Sequence, residues 1–188
     1  VTRPLFIAEV KPQSPWGFES AFDKWQLLEM AVDHGDLVAL HTEEPWGGSL
    51  GWLRSAGAWA HERDKLVLAK GMHQSDDSVK QALHFGADLV LVVGRKPPPA
   101  LAPVCIWEPR TFGDLVADGA PGQATMWNQR DLETGEARER SDFAMARASH
   151  TGWLCQASFI SEPADINLEA DAFIVGQELP SFIQRALP

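Results

Sequence analysis

Cysteine is scarce: Cys105 and Cys155 are the two in 188 residues. Each lies inside an apolar, strand-like run, VCIW and WLCQA, so both are read as buried free thiols rather than a disulfide or a nucleophile. That usage suits a reducing compartment and predicts a cytoplasmic protein. Positive charge is also short, with 16 Lys+Arg against 26 Asp+Glu and a formal net charge of −10. Such a balance argues against nucleic-acid binding, which wants a basic surface. No apolar run approaches the roughly 20 residues of a membrane span, and no basic stretch leads into an apolar one as in a secretory signal. No membrane partner is expected. The six histidines are scattered, without HExxH or Cys-x-x-Cys, so neither a metal site nor another cofactor is expected. Tyrosine is absent while tryptophan occurs eight times, an imbalance for which we have no physical account.

What the chain does have is a rhythm. Eight short apolar runs recur: Leu5–Val10, Leu37–His41, Lys65–Lys70, Leu89–Val93, Val104–Glu108, Ala124–Trp127, Trp153–Ala157 and Ala172–Val175. Most are continuously apolar, as strands buried on both faces of a parallel sheet are. Helical patterns lie between them: Ser20–His34, with Phe22, Trp25, Leu28, Met30 and Ala31 on its apolar face, then Leu50–His61, Asp76–Phe85, Thr111–Ala117, Ser141–Ala148 and Pro180–Leu187. Eight strands alternating with helices predict a compact (β/α)8 TIM barrel, as one domain over 1–188. An open doubly wound sheet is the runner-up. The chain is short for a barrel, which takes about 250 residues typically and about 200 at the low end. Pro97–Pro99 forbid a normal helix after the fourth strand, and Phe159–Asp171 leaves room for a turn or two. One or more crossover helices are therefore expected to be reduced. A monomer or weak homo-oligomer is expected.

In such a barrel the chemistry sits at the C-terminal ends of the strands. The first ends in Glu9 and Lys11, on the face of Ile7. The third ends in Lys70, sharing a face with Leu68, and the fifth in Glu108, sharing one with Ile106. The sixth leads to Asn128 and Arg130. Charges on the face of buried aliphatics cost several kcal/mol unpaired. Five polar groups on one rim predict a site: Glu9, Lys11, Lys70, Glu108 and Asn128.

Taken in order, several segments resemble the indole-3-glycerol phosphate synthases. IAEVKPQSP, TEEPWGGSL, VLAKGMH, FGADLVLVV, IWEP, WNQRDLETGE and FIVGQEL each look like a motif of that family. The resemblance implies a decarboxylating and dehydrating ring closure of 1-(2-carboxyphenylamino)-1-deoxyribulose 5-phosphate, without cofactor or metal. By the same resemblance Lys70 is the general acid and Lys11 contacts the substrate carboxylate. Glu108 shuttles a proton, Glu9 holds the lysines, and Asn128 binds the reacting hydroxyls. Ser14, Trp46, Leu91, Arg130, Ser158, Gly176 and Gln177 would contact an anionic phosphorylated small molecule. The chain departs from the family at its phosphate grip, where Ala157-Ser158-Phe159 and Gly176-Gln177 stand for Glu-Ser-Gly and Gly-Ser. A related barrel lyase or cyclase with an altered substrate, or a non-catalytic barrel serving as a binding partner, are the alternatives.

Other polar residues receive plainer readings. Glu43 and Glu44 are read as a solvated loop pair, and His41 and His73 as supporting or surface histidines. Trp46 is read as stacking on an aromatic ring. Arg138–Arg140 is read as a solvated run.

Overall fold

A computed structural model describes residues 3–119, 122–138 and 142–186. All eight apolar runs form parallel strands: β1 (Leu5–Val10), β2 (Leu37–His41), β3 (Leu66–Lys70), β4 (Leu89–Val93), β5 (Cys105–Glu108), β6 (Thr125–Asn128), β7 (Leu154–Ala157) and β8 (Ala172–Val175). They pair in sequence order, and β8 closes on β1. The expected (β/α)8 barrel is thus the fold.

Alternation along each strand sorts the side chains into two packed layers. Ile7, Ala39, Leu68, Leu91, Ile106, Met126, Cys155 and Ile174 fill the barrel interior as one cluster. Residues of the opposite parity, among them Ala8, Leu40, Val67 and Val92, pack outward against helices. The helices among the described residues are α1 (Lys24–His34), α2 (Leu50–His61), α3 (Asp76–His84), α4 (Phe112–Asp118), α5 (Phe143–Ser149) and α6 (Leu179–Ala186). Two crossovers have only a 3-10 turn, Ala102–Val104 between β4 and β5 and Pro163–Asp165 between β7 and β8. These are the two crossovers that the sequence marks as reduced, by Pro97–Pro99 and by the short Phe159–Asp171 stretch.

Details of the helices differ from the pattern. The first begins at Lys24 rather than Ser20, because Asp23 accepts from the Trp25 and Gln26 amides at 2.8 and 3.0 Å while the Gln26 side chain accepts from Asp23 N–H. That is a capping box. Trp25, expected on the buried face, is instead 48% exposed and packs edge-on against Trp52; Leu27, Leu28, Ala31 and Val32 carry the burial. Helix α5 is capped by Asp142, and the expected starting Ser141 and the final Leu187 lie outside the described residues. Both cysteines are free and buried, as expected. Burial pushes the Cys105 thiol up to about 11, which leaves it unreactive at neutral pH. Among the described residues no helix is long and apolar enough to cross a membrane.

Candidate active site

The interior column of hydrophobic residues ends, at the C-terminal rim, in charge. Glu9 follows Ile7 on the inward face of β1 and is 4% exposed. Strand pairing sets His41 on β2 beside Lys70 on β3, and both reach Glu9. His41 Nε2 lies 2.6 Å from Glu9 Oε1, and Lys70 Nζ lies 3.1 Å from Oε2. Gly176, just past β8, faces the same carboxylate: a Cβ there would fall 2.5 Å from Glu9 Oε2. Gly176 therefore leaves space for the glutamate, whatever it does for a ligand. Lys11 is two residues beyond Glu9, buried, with its ammonium 5.8 Å from the Trp16 ring centre.

Across the barrel a second set forms. Glu108 is 1% exposed and accepts a bond from Asn128 Nδ2 at 3.0 Å. The Asn128 carbonyl oxygen accepts from Ser158 Oγ at 2.7 Å and from the Arg130 amide at 3.0 Å, so the amide has one orientation. Arg138 stands behind Glu108, its Nη2 4.0 Å from Oε1.

These groups titrate differently. Burial opposes the charge of Glu9, but Lys70, Lys11 and the His41 bond overcome it and hold the carboxyl well below its ordinary range. Burial also acts on Glu108, and there it wins: the carboxyl rises despite Lys70, Asn128 and Arg138, with the Glu9 charge adding to the rise. Burial lowers Lys11 to about 8 against the pull of Glu9, helped by Lys70 and Arg130. Burial lowers His41 to about 4 although Glu9 favours its cation, so the imidazole is neutral at neutral pH.

The rim encloses a cavity of about 410 Å³, with Glu9, Lys11, Lys70 and Asn128 on its floor and Trp16, Arg130 and Phe159 at its mouth. Lys70, Asn128 and Trp46 also border a recess of about 40 Å³ that reaches Glu108, Leu91 and Met72. Arg130 lies between two rings, 4.6 Å from Phe159 and 5.6 Å from Trp16. Ser158 and Phe159 both adopt left-handed backbone, with φ of 70° and 56°. This is the conformation glycine takes freely and other residues adopt at a cost. Among the described residues no group of three or more His, Cys, Asp or Glu is arranged to hold a metal ion.

Of the residues singled out in the sequence, Glu9, Lys11, Lys70, Asn128, Trp46, Arg130, Ser158, Gly176 and Gln177 line the cavity. Glu108 and Leu91 line the recess. Ser14 does not reach either wall; its hydroxyl accepts from the Phe18 amide at 3.3 Å and shapes the turn after β1. Trp46 already stacks on a ring of the protein, His41, at 5.8 Å and 4°. Three readings need correction. Of the two readings of His41 and His73, the surface one falls, because both are buried; His41 supports Glu9 at 2.6 Å and His73 bonds Leu91 O at 2.7 Å. Glu43 is not a solvated partner of Glu44, because it accepts the Met72 amide at 2.8 Å. Arg138 is buried at the site rather than solvated: its side chain is 8% exposed, since it bonds Arg130 O at 2.8 Å and Pro109 O at 3.2 Å. Glu139 and Arg140 lie outside the described residues.

Solved structures share this architecture. A 3-hexulose-6-phosphate synthase from Salmonella typhimurium superposes with a TM-score of 0.68 at 14% identity, covering 96% of this chain and 99% of that one. A 3-keto-L-gulonate-6-phosphate decarboxylase from Vibrio cholerae gives 0.64 at 12%, covering 98% and 97%. The citrate synthase SbnG gives 0.62 at 14%, covering 93% and 86%. The likeness is one of fold. No family model matches the chain, and no curated protein matches it. The resemblance to indole-3-glycerol phosphate synthases is therefore corrected. Its motifs find no support from any family model, and the similar barrels are synthases and a decarboxylase of other names. The ring closure and the place in tryptophan biosynthesis that it implied fall with it. Its short segments mark the rim of a barrel, a feature that unrelated activities share.

Proposed function

We propose that the chain is a carbon–carbon lyase that acts on a small anionic substrate beside a carbonyl group, by lysine and glutamate acid–base catalysis. The observation that carries this reading is the Glu9–Lys70 ion pair, buried at the floor of an open cavity with Lys11 beside it. Burying such a pair is seldom worth its desolvation for stability alone, and this end of a barrel is where catalytic groups gather. Lys70 would donate a hydrogen bond to the substrate carbonyl oxygen. When the adjacent carbon–carbon bond breaks and a carboxylate leaves as CO2, the electron pair stays on the substrate carbon and delocalises to that oxygen as an enolate. An ammonium already in place stabilises this charge without reorganisation. Glu108, held toward its acid form and oriented by Asn128, would return a proton to the carbon. Lys11 and Arg130 would attract the anionic end on an otherwise acidic protein. Two of the similar barrels are named for sugar 6-phosphates and one of these for a decarboxylation. Those names favour a phosphorylated keto acid or ketose, its phosphate toward Ser158, Gly176 and Gln177.

An enolate exchanges its carbon-bound proton with solvent. Phosphorylated β-keto acids and ketose phosphates should therefore take up deuterium in D2O, or release CO2, in the presence of the protein, and NMR would follow both. Lys70→Ala should abolish the exchange. A folded protein that binds none of these anions and exchanges no proton would sink the reading.

A further inference from the structure

Glu9 has two lysines within its field but pairs directly with one. Both ammoniums favour its charged form, yet Lys70 lies 3.1 Å from Oε2. Among the described residues no carboxylate comes within ion-pair distance of Lys11. Something decides between them, and the structure shows what occupies the other oxygen. Oε1 faces His41 Nε2 at 2.6 Å. The imidazole is 3% exposed and runs parallel to the Trp46 ring, the ring centres 5.8 Å apart. Gly176 lies close to Oε2, where a Cβ would fall 2.5 Å from that oxygen. We infer that His41 is the positioning residue of this site: as a neutral ring it donates Nε2–H to Glu9 Oε1, commits the other oxygen to Lys70, and so keeps Lys11 free to meet a ligand.

The tautomer follows from the partners. A neutral imidazole carries one N–H, and facing a carboxylate that hydrogen belongs on Nε2. Nδ1 is then an acceptor, and it is buried without a partner among the described residues. His73 shows the contrast, with bonds at both nitrogens, to Leu91 O and to Thr42 Oγ1. Among the described residues His41 has a single bond, and it goes to the carboxylate at the floor of the site. Among the described residues the charged or titratable groups around this bond are few: Lys11 just past β1, Lys70 on β3, and, at longer range, Arg130 and Glu108, which both feel the Glu9 charge. None of them comes from β8; the residue just past that strand is Gly176.

The assignment rests on the reading of this cluster as the working site, but its test reads midpoints rather than turnover. In protein carrying carbon-13 at glutamate Cδ and lysine Cε, NMR titrations of wild type, His41→Leu and His41→Gln would be compared. Glutamine places an amide nitrogen near the Nε2 position and restores the donor; leucine does not. In His41→Leu the Glu9 midpoint should rise by about one to two pH units, the effect of one charge-assisted hydrogen bond. The Lys11 midpoint should rise above about 8, as the freed oxygen turns to it. In His41→Gln both should stay near wild type. Unmoved midpoints in the leucine variant, or equal movement in both variants, would overturn the assignment. Should the leucine variant not fold, nitrogen-15 spectra of wild-type His41 decide: a neutral ring protonated at Nε2 is expected at pH 7, and a ring protonated at Nδ1, or at both nitrogens, refutes it. A chain that shows these shifts but exchanges no deuterium keeps the His41 assignment and loses the lyase reading.

Discussion

Two buried glutamates stand at the same end of the barrel, and their surroundings push them in opposite directions. Glu9, on the β1–β3 side, is enclosed by Lys70, Lys11 and the His41 donor, and stays ionised well below the ordinary carboxylate range. Glu108, on the β5–β6 side, has one amide donor and a guanidinium 4.0 Å away, and burial raises it. Burial is the largest influence on both, and two cations and one donor answer it in each case. The difference lies in their closeness, 3.1 and 2.6 Å for Lys70 and His41 at Glu9, and in the Glu9 charge, which itself raises Glu108. Such a split is how one site holds an anion and an acid at once. It also separates the lysines, one paired with Glu9 and the other lowered to about 8.

The comparison breaks most visibly if each side loses its partner. Lys70→Ala strips Glu9 of its direct ion-pair partner, leaving Lys11 and the His41 bond, and should destabilise by about 2–4 kcal/mol. Glu108→Gln replaces a carboxyl already driven toward neutrality and should cost less than about 1 kcal/mol. Urea unfolding at pH 7 distinguishes them, and equal losses would end the asymmetry. Lys70→Ala should nevertheless abolish the proton exchange, and Glu108→Gln should lower its kcat by about 10²–10⁴.

Acid should expose the β1–β3 side next. Folded His41 titrates at about 4, below the ordinary histidine value of about 6.5. Between those values the unfolded chain binds the extra proton, so stability falls as pH falls, by on the order of 3 kcal/mol. Glu9 adds a further loss as pH drops through its own depressed value, whereas Glu108, being raised, contributes stability that is lost as pH rises through its folded value. Unfolding midpoints from pH 7 to 4 should show a slope that His41→Gln flattens.

Gly176→Ala is smaller. Its methyl would fall 2.5 Å from Glu9 Oε2 and should cost about 1–3 kcal/mol as overpacking, together with a displaced Glu9 midpoint; Gly51→Ala, whose methyl meets only Ser49 Oγ at 3.8 Å, is the control. Smallest of all is the outer rim. Phe159→Gly relieves a left-handed residue but loses the stacking of Arg130, and these offset to within about 1 kcal/mol. A larger change in calorimetry would place the rim, not the floor, at the centre of the site.

Much of this was legible in the chain. Continuous apolar runs mark all eight strands because a barrel buries both faces of each. Pro97–Pro99 mark a crossover without a helix, and strand parity turns Glu9, Lys70 and Glu108 inward with Ile7, Leu68 and Ile106. The same parity applies to His41, two residues after the inward Ala39, and would have found it. Arg138 had no such signal. It reaches Glu108 because Arg130 pairs with Ala137 across the loop after β6, a contact that no local spacing encodes. The identity suggested by short rim motifs did not hold, since such groups recur wherever a barrel presents charge at its strand ends.

The central claim is that two equally buried carboxyls are driven apart. Carbon-13 titration of the glutamate carboxyls in the wild-type protein, with the two resonances assigned through Glu9→Gln and Glu108→Gln, tests it directly. Glu108 should take up its proton at a higher pH than a free glutamate and Glu9 at a lower one. Midpoints that coincide, or that appear in the reverse order, would contradict the account.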